Sequence, residues 1–405
     1  MKSKFFAGMG TNIILLGFVS FLNDISSEMI MAIMPMFIVC LGGTGVLVGL
    51  IGGLGDSVSS VLDVFSGYFS DRFRRSKPFL FAGYLISSFM KLVFPFCRSC
   101  TTLLLVKPIE RIGKGIRNAP RDSLIAASVD EEHRGKAFGI HRAADTSGAV
   151  AGAALAALLF WVLKFEFRYI LLIAALVSFA SLIPLAWVKE GHVKVEKENL
   201  TFKKSIHLMP RPFFHYVAAA TVFAFGNFTY MFFVLKAKDV FGPVLGAREA
   251  IVVPIILYIW FNVVYALISI PAGELSDKIG RKNVLVFGYL VHALTCCGFV
   301  LFKGLFSFII LFAMYGIAFG LVQADQRAFA SDFVTREFRG TALGIFHTST
   351  GLAMIPAGLV AGLLWNVNTA LPFIYGTVMA LIALTLVGTV SEPVVAKESV
   401  KGEQA

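Results

Sequence analysis

Charge is scarce in this chain. Asp, Glu, Lys and Arg together make up 15% of its 405 residues, where a soluble domain carries about a quarter. Cysteine is scarcer: five residues do not make a disulfide scaffold. Cys97 and Cys100 form a lone C-x-x-C beside a short loop, a spacing more often occupied by ordinary small residues than by a redox or metal pair. No G-x-x-x-x-G-K-[ST] sequence occurs, so ATP has no phosphate-cradling loop through which to drive the protein. No nucleophile–base pair or metal triad stands out. His141 and Asp145, four apart, come nearest and lack further partners at recognisable spacing. Neither an enzyme nor a cofactor nor a metal site is expected. The first apolar run has no small-residue cleavage site after it and reads as a membrane span, not a signal peptide.

Apolar residues are present in excess. The hydrophobic fraction is 57%, with 40 Phe, more than a soluble core of this size can bury. A bilayer hides such surface along the whole length of a helix. The net charge of +11 does not gather into a soluble basic face, so nucleic acid is not expected as a partner. The cations sit mainly in short connections between apolar runs, where membrane topology places them.

A spanning helix needs about 20 mostly apolar residues. Such runs occupy roughly 10–39, 44–69, 78–97, 101–126, 136–162 and 168–188, then 212–237, 248–275, 283–302, 304–331, 340–364 and 368–390. The expected fold is an all-α membrane protein of twelve transmembrane helices in two six-helix bundles, residues 1–189 and 212–390. A charged linker, 190–211, joins them, and a polar tail follows from 391. Lys and Arg are dense on one side, as at Arg72, Arg74, Arg75, Lys77, Lys278, Arg281 and Lys282, and sparse on the other. That asymmetry predicts cytosolic termini and a cytosolic linker.

The chain also repeats itself. Gly67-Tyr-Phe-Ser-Asp71-Arg72 returns as Gly273-Glu-Leu-Ser-Asp277-Lys278, and Arg134-Gly135-Lys-Ala137-Phe-Gly139-Ile140 returns as Arg339-Gly340-Thr-Ala342-Leu-Gly344-Ile345. Two matches at nearly one offset argue for duplication of a six-span unit. Because six is even, the two copies have the same orientation, and proteins built this way place their site near mid-membrane between the copies.

Span four is dense with charge. Lys107, Arg111, Lys114, Arg117 and Arg121 fall within about 120° on a helical projection. Each Lys or Arg at the membrane centre costs about 2.5 to 3.5 kcal/mol, so four or five left unpaired would cost about 10 to 17 kcal/mol. They must face carboxylates, water or an anionic ligand. Candidate carboxylates are Asp24 and Glu28 on span one, Asp145 beside His141 on span five, and Asp56 and Asp63 on span two. A closed structural network and a site in which a carboxylate exchanges a proton while Arg111 or Lys114 binds an anionic group are both open; ionisable groups in membranes favour the second.

Span seven offers Asn227 and Tyr230 among aromatics. Span eight offers Tyr258, Trp260, Asn262 and Tyr265, and span ten offers Gln323, Asp325, Gln326 and Arg327. An ionic wall facing an aromatic one would suit an amphipathic organic anion. The alternating Met29, Met31, Met34 and Met36 read as apolar filler before they read as a soft-metal path.

The loop after span eight, Gly273-Glu-Leu275-Ser-Asp277-Lys278-Ile-Gly280-Arg281-Lys282, resembles the G-x-L-x-D-R-x-G-R-R/K signature of the major facilitator superfamily. The loop after span two resembles it less closely, with Arg74 where Gly is usual. The resemblance covers about residues 10–390 and implies a secondary transporter working by alternating access. It implies gate roles for Asp71 and Asp277, supported by Arg72, Arg75, Lys278 and Arg281. It also implies that spans one, four, seven and ten line a central cavity. Arg111 followed by Gly115 resembles the family's span-four R-x-x-x-G, tied to proton coupling, with Lys114 where Gln is usual.

The resulting expectation is a monomeric transporter in a prokaryotic inner membrane, moving a small organic and anionic solute coupled to protons. Its candidate residues are Asp24, Glu28, Arg111, Lys114, Arg117, His141, Asp145, Asn227, Tyr230, Gln323, Asp325 and Arg327. An exporter of drugs or siderophore-like metabolites is the alternative, weakened because Gly148-Ala-Val-Ala-Gly152-Ala-Ala-Leu lacks the Pro and final glycines of G-x-x-x-G-P-x-x-G-G. A non-transporting sensor or membrane enzyme is the alternative of another class.

Overall fold

A computed structural model describes residues 10–73, 76–129, 133–190, 209–335 and 338–391, with the side chains of 64–73, 134, 270 and 324 left out. The described residues are helical apart from short connections. We label the helices α1 (Thr11–Cys40), α2 (Gly45–Phe73), α3 (Lys77–Val93), α4 (Cys100–Ala127), α5 (Arg134–Trp161), α6a (Phe167–Ala180), α6b (Leu182–Ala186), α7a (Arg211–Gly226), α7b (Met231–Phe241), α8 (Glu249–Ile279), α9 (Arg281–Leu301), α10 (Leu305–Asp332), α11 (Arg339–Val367) and α12 (Leu371–Thr389).

Eleven of the resulting segments are long and apolar enough to cross a membrane, with α6a–α6b and α7a–α7b each counting as one. The twelfth is α4. Its 28 residues span about 42 Å at 1.5 Å per residue, but its charge keeps it below the apolar threshold. Span seven, continuous as an apolar run, is interrupted at Asn227, where the backbone turns to φ −90 and ψ 64 before α7b begins.

The Cα positions group into two units. One holds residues 1–43, 58–196 and 246–259; the other holds 44–57, 197–245 and 260–405. Within the first, α1 packs on α5 and α6a, and α3 packs on α4 and α6a. Within the second, α7a packs on α11 and α12, and α9 packs on α10 and α12. The adjacency is the same, so the duplication read from sequence extends to the packing.

Small residues set the closest approaches. Gly148 and Gly152 lie against the α1 backbone, where a side chain would meet the carbonyl oxygens of Phe21 and Ile25, as a Gly-x-x-x-Gly contact requires. Gly83 of α3 and Gly113 of α4 face each other in the same manner. In the second unit, Gly49 at the start of α2 abuts Gly358 of α11.

Lys77 at the start of α3 donates to the Ala186 carbonyl at the end of α6b, 2.9 Å away. Lys282, 205 positions later, donates to the Gly388 and Val390 carbonyls at the end of α12, at 2.7 and 2.8 Å. Both cations meet orphan carbonyls at a helix C-terminus. Between α8 and α9, Gly280 has φ +89, a left-handed conformation that explains glycine in that loop. The first copy's Arg74 is outside the described residues.

The cores differ in chemistry. One core cluster of the first unit is mainly aliphatic, Ile13, Leu16, Val19, Leu80 and Leu124 around Tyr84. The second buries a stacked aromatic set: Tyr216 lies near Phe329, Phe333 and Phe346, with ring centroids 4.8 to 6.1 Å apart, and Phe223 stacks on Tyr289 at 4.0 Å.

Candidate functional site

The cations of α4 are held in different ways. Glu110 sits among the first of them. Its carboxylate accepts from Lys107 Nζ at 3.0 Å and lies 3.6 Å from Arg111 Nε, with all three residues buried. One buried carboxylate thus serves two buried cations. Lys107 also lies 5.6 Å from the centre of the Phe94 ring, and an Arg111 nitrogen donates to Met31 Sδ at 3.8 Å. Of the methionines on α1, Met29, Met34 and Met36 are buried in the core.

Nearly two turns on, the partners become neutral. Arg117, 3% exposed, donates to Asn23 Oδ1 at 3.4 Å and lies 4.3 Å from the Tyr84 ring centre, a cation–π contact. Lys91 of α3, 1% exposed, donates to the same Asn23 Oδ1 at 3.2 Å and to Ser27 Oγ at 2.9 Å. Two cations on one amide oxygen fix the amide's orientation, because its NH2 would repel both. That NH2 donates instead to Asp24 Oδ1 at 3.3 Å. Asn23 therefore joins α1, α3 and α4 through one side chain.

Lys114 is the exception. It is half-buried and makes no hydrogen bond and no ion pair among the described residues. The charges that bear on it are those of Arg111, Asp24, Arg117 and Glu110. Further along α4, Asn118 donates to Asp63 at 2.9 Å, and Arg121 pairs with its exposed neighbour Asp122 at 3.0 Å.

The carboxylates of α1 and α5 also meet neutral donors. Glu28 accepts from the Tyr258 hydroxyl at 2.9 Å; both lie in the first unit. His141 Nδ1 is 3.5 Å from Asp145 Oδ2, and its Nε2 is 2.7 Å from Ser20 Oγ. Ser20 Oγ is in turn 3.4 Å from the Tyr84 hydroxyl. His141 is buried and Asp145 half-buried. The four-residue spacings of Asp24 with Glu28 and of His141 with Asp145 thus place each pair on one face, and only the second pair is in contact.

Asp24, Glu28, Arg111, Lys114, Arg117, His141 and Asp145 therefore gather within one unit. No comparable cluster of the second half's candidates is found among the described residues. Asn227 is half-buried at the break in span seven, and Tyr230 precedes α7b. Along α10, Gln323 is half-buried, Asp325 buried and Arg327 exposed. The aromatics of α8 divide, with Tyr258 buried against Glu28 and Trp260 exposed, donating to the Ile309 carbonyl at 3.0 Å.

Of the gate residues, Asp71 and Arg72 have side chains outside the described set, and Arg75 is outside it altogether. Asp277 and Lys278 are exposed. Arg281 bonds Asp332 at the end of α10, at 2.6 Å. Cys97 and Cys100 donate separately to the carbonyls of Val93 and Ile38, and burial pushes the Cys97 thiol above its ordinary range, away from thiolate chemistry.

Lys91, Asn23, Ser20, Tyr84 and Glu110 are absent from the residues singled out by sequence. Glu110 carried a signal, since Lys107 three residues before it is on the same helical face. Lys91 carried none, because one Lys near the end of an apolar run has the pattern of an interfacial cation.

The Major Facilitator Superfamily profile matches residues 16–257 and 250–405. The MFS-type transporter MJ1317 of Methanocaldococcus jannaschii is 44% identical over 375 residues, covering 93% of this chain and 94% of that protein. The multidrug resistance protein MdtH of Yersinia enterocolitica is 24% identical over 78% of this chain and 77% of its own length. Among solved structures, a point mutant of the nucleoside transporter NupG superposes with a TM-score of 0.77 at 16% identity, over 93% of this chain and 98% of that one. A bacterial homologue of the human lysosomal transporter Spinster, in an inward-facing and occupied conformation, gives 0.75 at 16%, over 95% and 97%.

Proposed function

The chain belongs to the major facilitator superfamily, and from that premise we propose that this secondary transporter moves a small organic anion by alternating access, coupled to protons. The bundles 1–189 and 212–390 are the moving parts in this reading. The loops at Asp71, Arg72 and Arg75 and at Asp277, Lys278 and Arg281 gate the cytosolic side, and both termini lie in the cytosol of a prokaryotic cell with the protein in its inner membrane.

The observation that carries the reading is Lys114. In a helix where Lys107, Arg111, Arg117 and Arg121 each have a partner, it alone makes neither hydrogen bond nor ion pair among the described residues. A half-buried ammonium with no carboxylate in direct contact among the described residues is costly in a membrane, and an anionic solute removes that cost. Arg111 lies one turn away to share the charge. Asp24, Glu28 and Asp145 are the candidates for proton exchange, since each meets a neutral donor or a histidine and, among the described residues, none is locked in a short Lys or Arg pair.

The test is thermal stabilisation of purified full-length protein by 2-naphthalenesulfonate, by 2-naphthol and by a naphthyl trimethylammonium salt. The three share an aromatic body and differ in charge. Stabilisation by the sulfonate, lost in Lys114→Gln, is expected. Stabilisation by the ammonium salt alone would overturn the anion assignment and favour the second reading, a drug exporter, which rests on the relative named multidrug resistance protein MdtH.

A further inference from the structure

The carboxylates of this site do not stand in equal surroundings, and one of them belongs to a chain of contacts. Asp145 Oδ2 faces His141 Nδ1 at 3.5 Å. The other ring nitrogen faces Ser20 Oγ at 2.7 Å, Ser20 faces the Tyr84 hydroxyl at 3.4 Å, and the Tyr84 ring carries the Arg117 guanidinium at 4.3 Å. The ring thus stands between Asp145 and Ser20, which itself bonds Asp145; a proton on Nδ1 leaves Nε2 to accept from Ser20. Among the described residues Asp24 and Glu28 have no such connection, and each meets a single donor, on Asn23 or Tyr258.

We propose that His141 and Asp145 together hold the coupling proton, and that Ser20 and Tyr84 are positioning residues that tie the pair to Arg117, about one turn along α4 from Lys114. This rests on the anion reading above and names which group answers the anion. The cations whose charge bears on Asp145 are Arg121, Arg142 and, more weakly, Lys114. An anion seated on Lys114 cancels the last of these, and the pair then takes up a proton from water. The only bond formed is N–H or O–H, and release of the anion reverses it. Other groups face the pair: Asp24 on α1, Tyr84 on α3, Arg121 and Asp122 on α4, and Arg142 on α5. Past Arg168 in its first turn, α6a has no charged residue. Arg142 and Asp122 are exposed and mark the side from which water delivers the proton.

Calorimetry of 2-naphthalenesulfonate binding in two buffers of different ionisation enthalpy counts the protons taken up per anion bound. The probe stays anionic at every working pH, so any uptake belongs to the protein. Wild type is expected to take up about one proton per anion, by linkage. His141→Gln and Asp145→Asn should take up none, and the pH dependence of their sulfonate affinity should flatten with the loss. Asp24→Asn and Glu28→Gln should keep the uptake. Persistent uptake in both His141→Gln and Asp145→Asn overturns the proposal.

A second measurement needs no ligand. In nitrogen-15 histidine spectra of the full chain, the imidazole that vanishes in His141→Gln should show the Nδ1–H tautomer, and Asp145→Asn or Ser20→Ala should shift it. An Nε2–H tautomer, or no response to either substitution, overturns the proposal whether or not the sulfonate binds. Absence of sulfonate binding to wild type, with the tautomer as expected, would fault the anion reading alone.

Discussion

Gly83-Tyr84 on α3 and Gly288-Tyr289 on α9 stand 205 positions apart and occupy the same place in the two repeats, yet they face opposite chemistries. Gly83 lies against Arg117, and Tyr84 offers that cation its ring. Gly288 lies against Val322, and Tyr289 stacks on Phe223 while accepting from Gln326 Nε2 at 2.8 Å. The same offset relates Lys107 to Phe312, Glu110 to Tyr315, Lys114 to Phe319 and Lys91 to Cys296. At these positions charge in the first copy is replaced by aromatic or apolar matter in the second. One backbone plan therefore supports either kind of interior, provided each is internally consistent. Cations need oxygen acceptors or ring faces; aromatics need one another.

Exchange between the copies is the most severe way to break that comparison. Val322→Arg imports the first copy's cation without Asn23 or an equivalent acceptor. We expect a loss of about 4 to 6 kcal/mol, from burial of an unpaired charge together with overpacking. The readout is the yield and thermal midpoint of detergent-purified protein. A stable Val322→Arg would mean that the second interior already holds a hidden acceptor.

A smaller loss is expected from Glu110→Gln, which leaves Lys107 and Arg111 buried without their shared carboxylate, about 3 to 5 kcal/mol. Its counterpart Tyr315→Phe keeps the ring stacked on Phe233 and Phe261 and should cost less than about 0.5 kcal/mol. Comparable losses in the two variants would show that Glu110 contributes by shape and not by charge.

The mildest pair concerns the glycines. A methyl group on Gly83 meets the Gly113 carbonyl oxygen and the Arg117 Cβ, neither of which can yield, so Gly83→Ala should cost about 1 to 3 kcal/mol. On Gly288 it meets first a Val322 methyl, which can rotate, and the loss should stay below about 1 kcal/mol. Thermal midpoints of the two variants sharpen the comparison directly.

Much of this architecture is legible in the residues themselves. Apolar run lengths place the spans, and the run at 101–126 matches α4 at Cys100–Ala127 although its hydropathy alone would discard it. The repeated Gly-x-x-x-Asp motif announces the duplication. The basic face of α4 is legible because helical periodicity relates residues three and four apart. Who satisfies each cation is not, since Asn23, Lys91 and Tyr84 come from other helices, and no local period encodes which helix lies next door. The break at Asn227 escaped for a different reason: Gly226-Asn227 is a turn dipeptide inside an apolar stretch long enough to cross unbroken.

That break has a geographic consequence. Where α7a stops, its last carbonyls lose their helical partners, and a hydrocarbon solvent supplies no replacement. Such backbone persists at membrane depth only where protein or water covers it. Gly226 is buried on Met379 and Gly376 of α12, and Phe228 is buried beside it. Asn227 thus marks a stretch of span seven turned away from the lipid: a compass mark in the backbone, pointing inward.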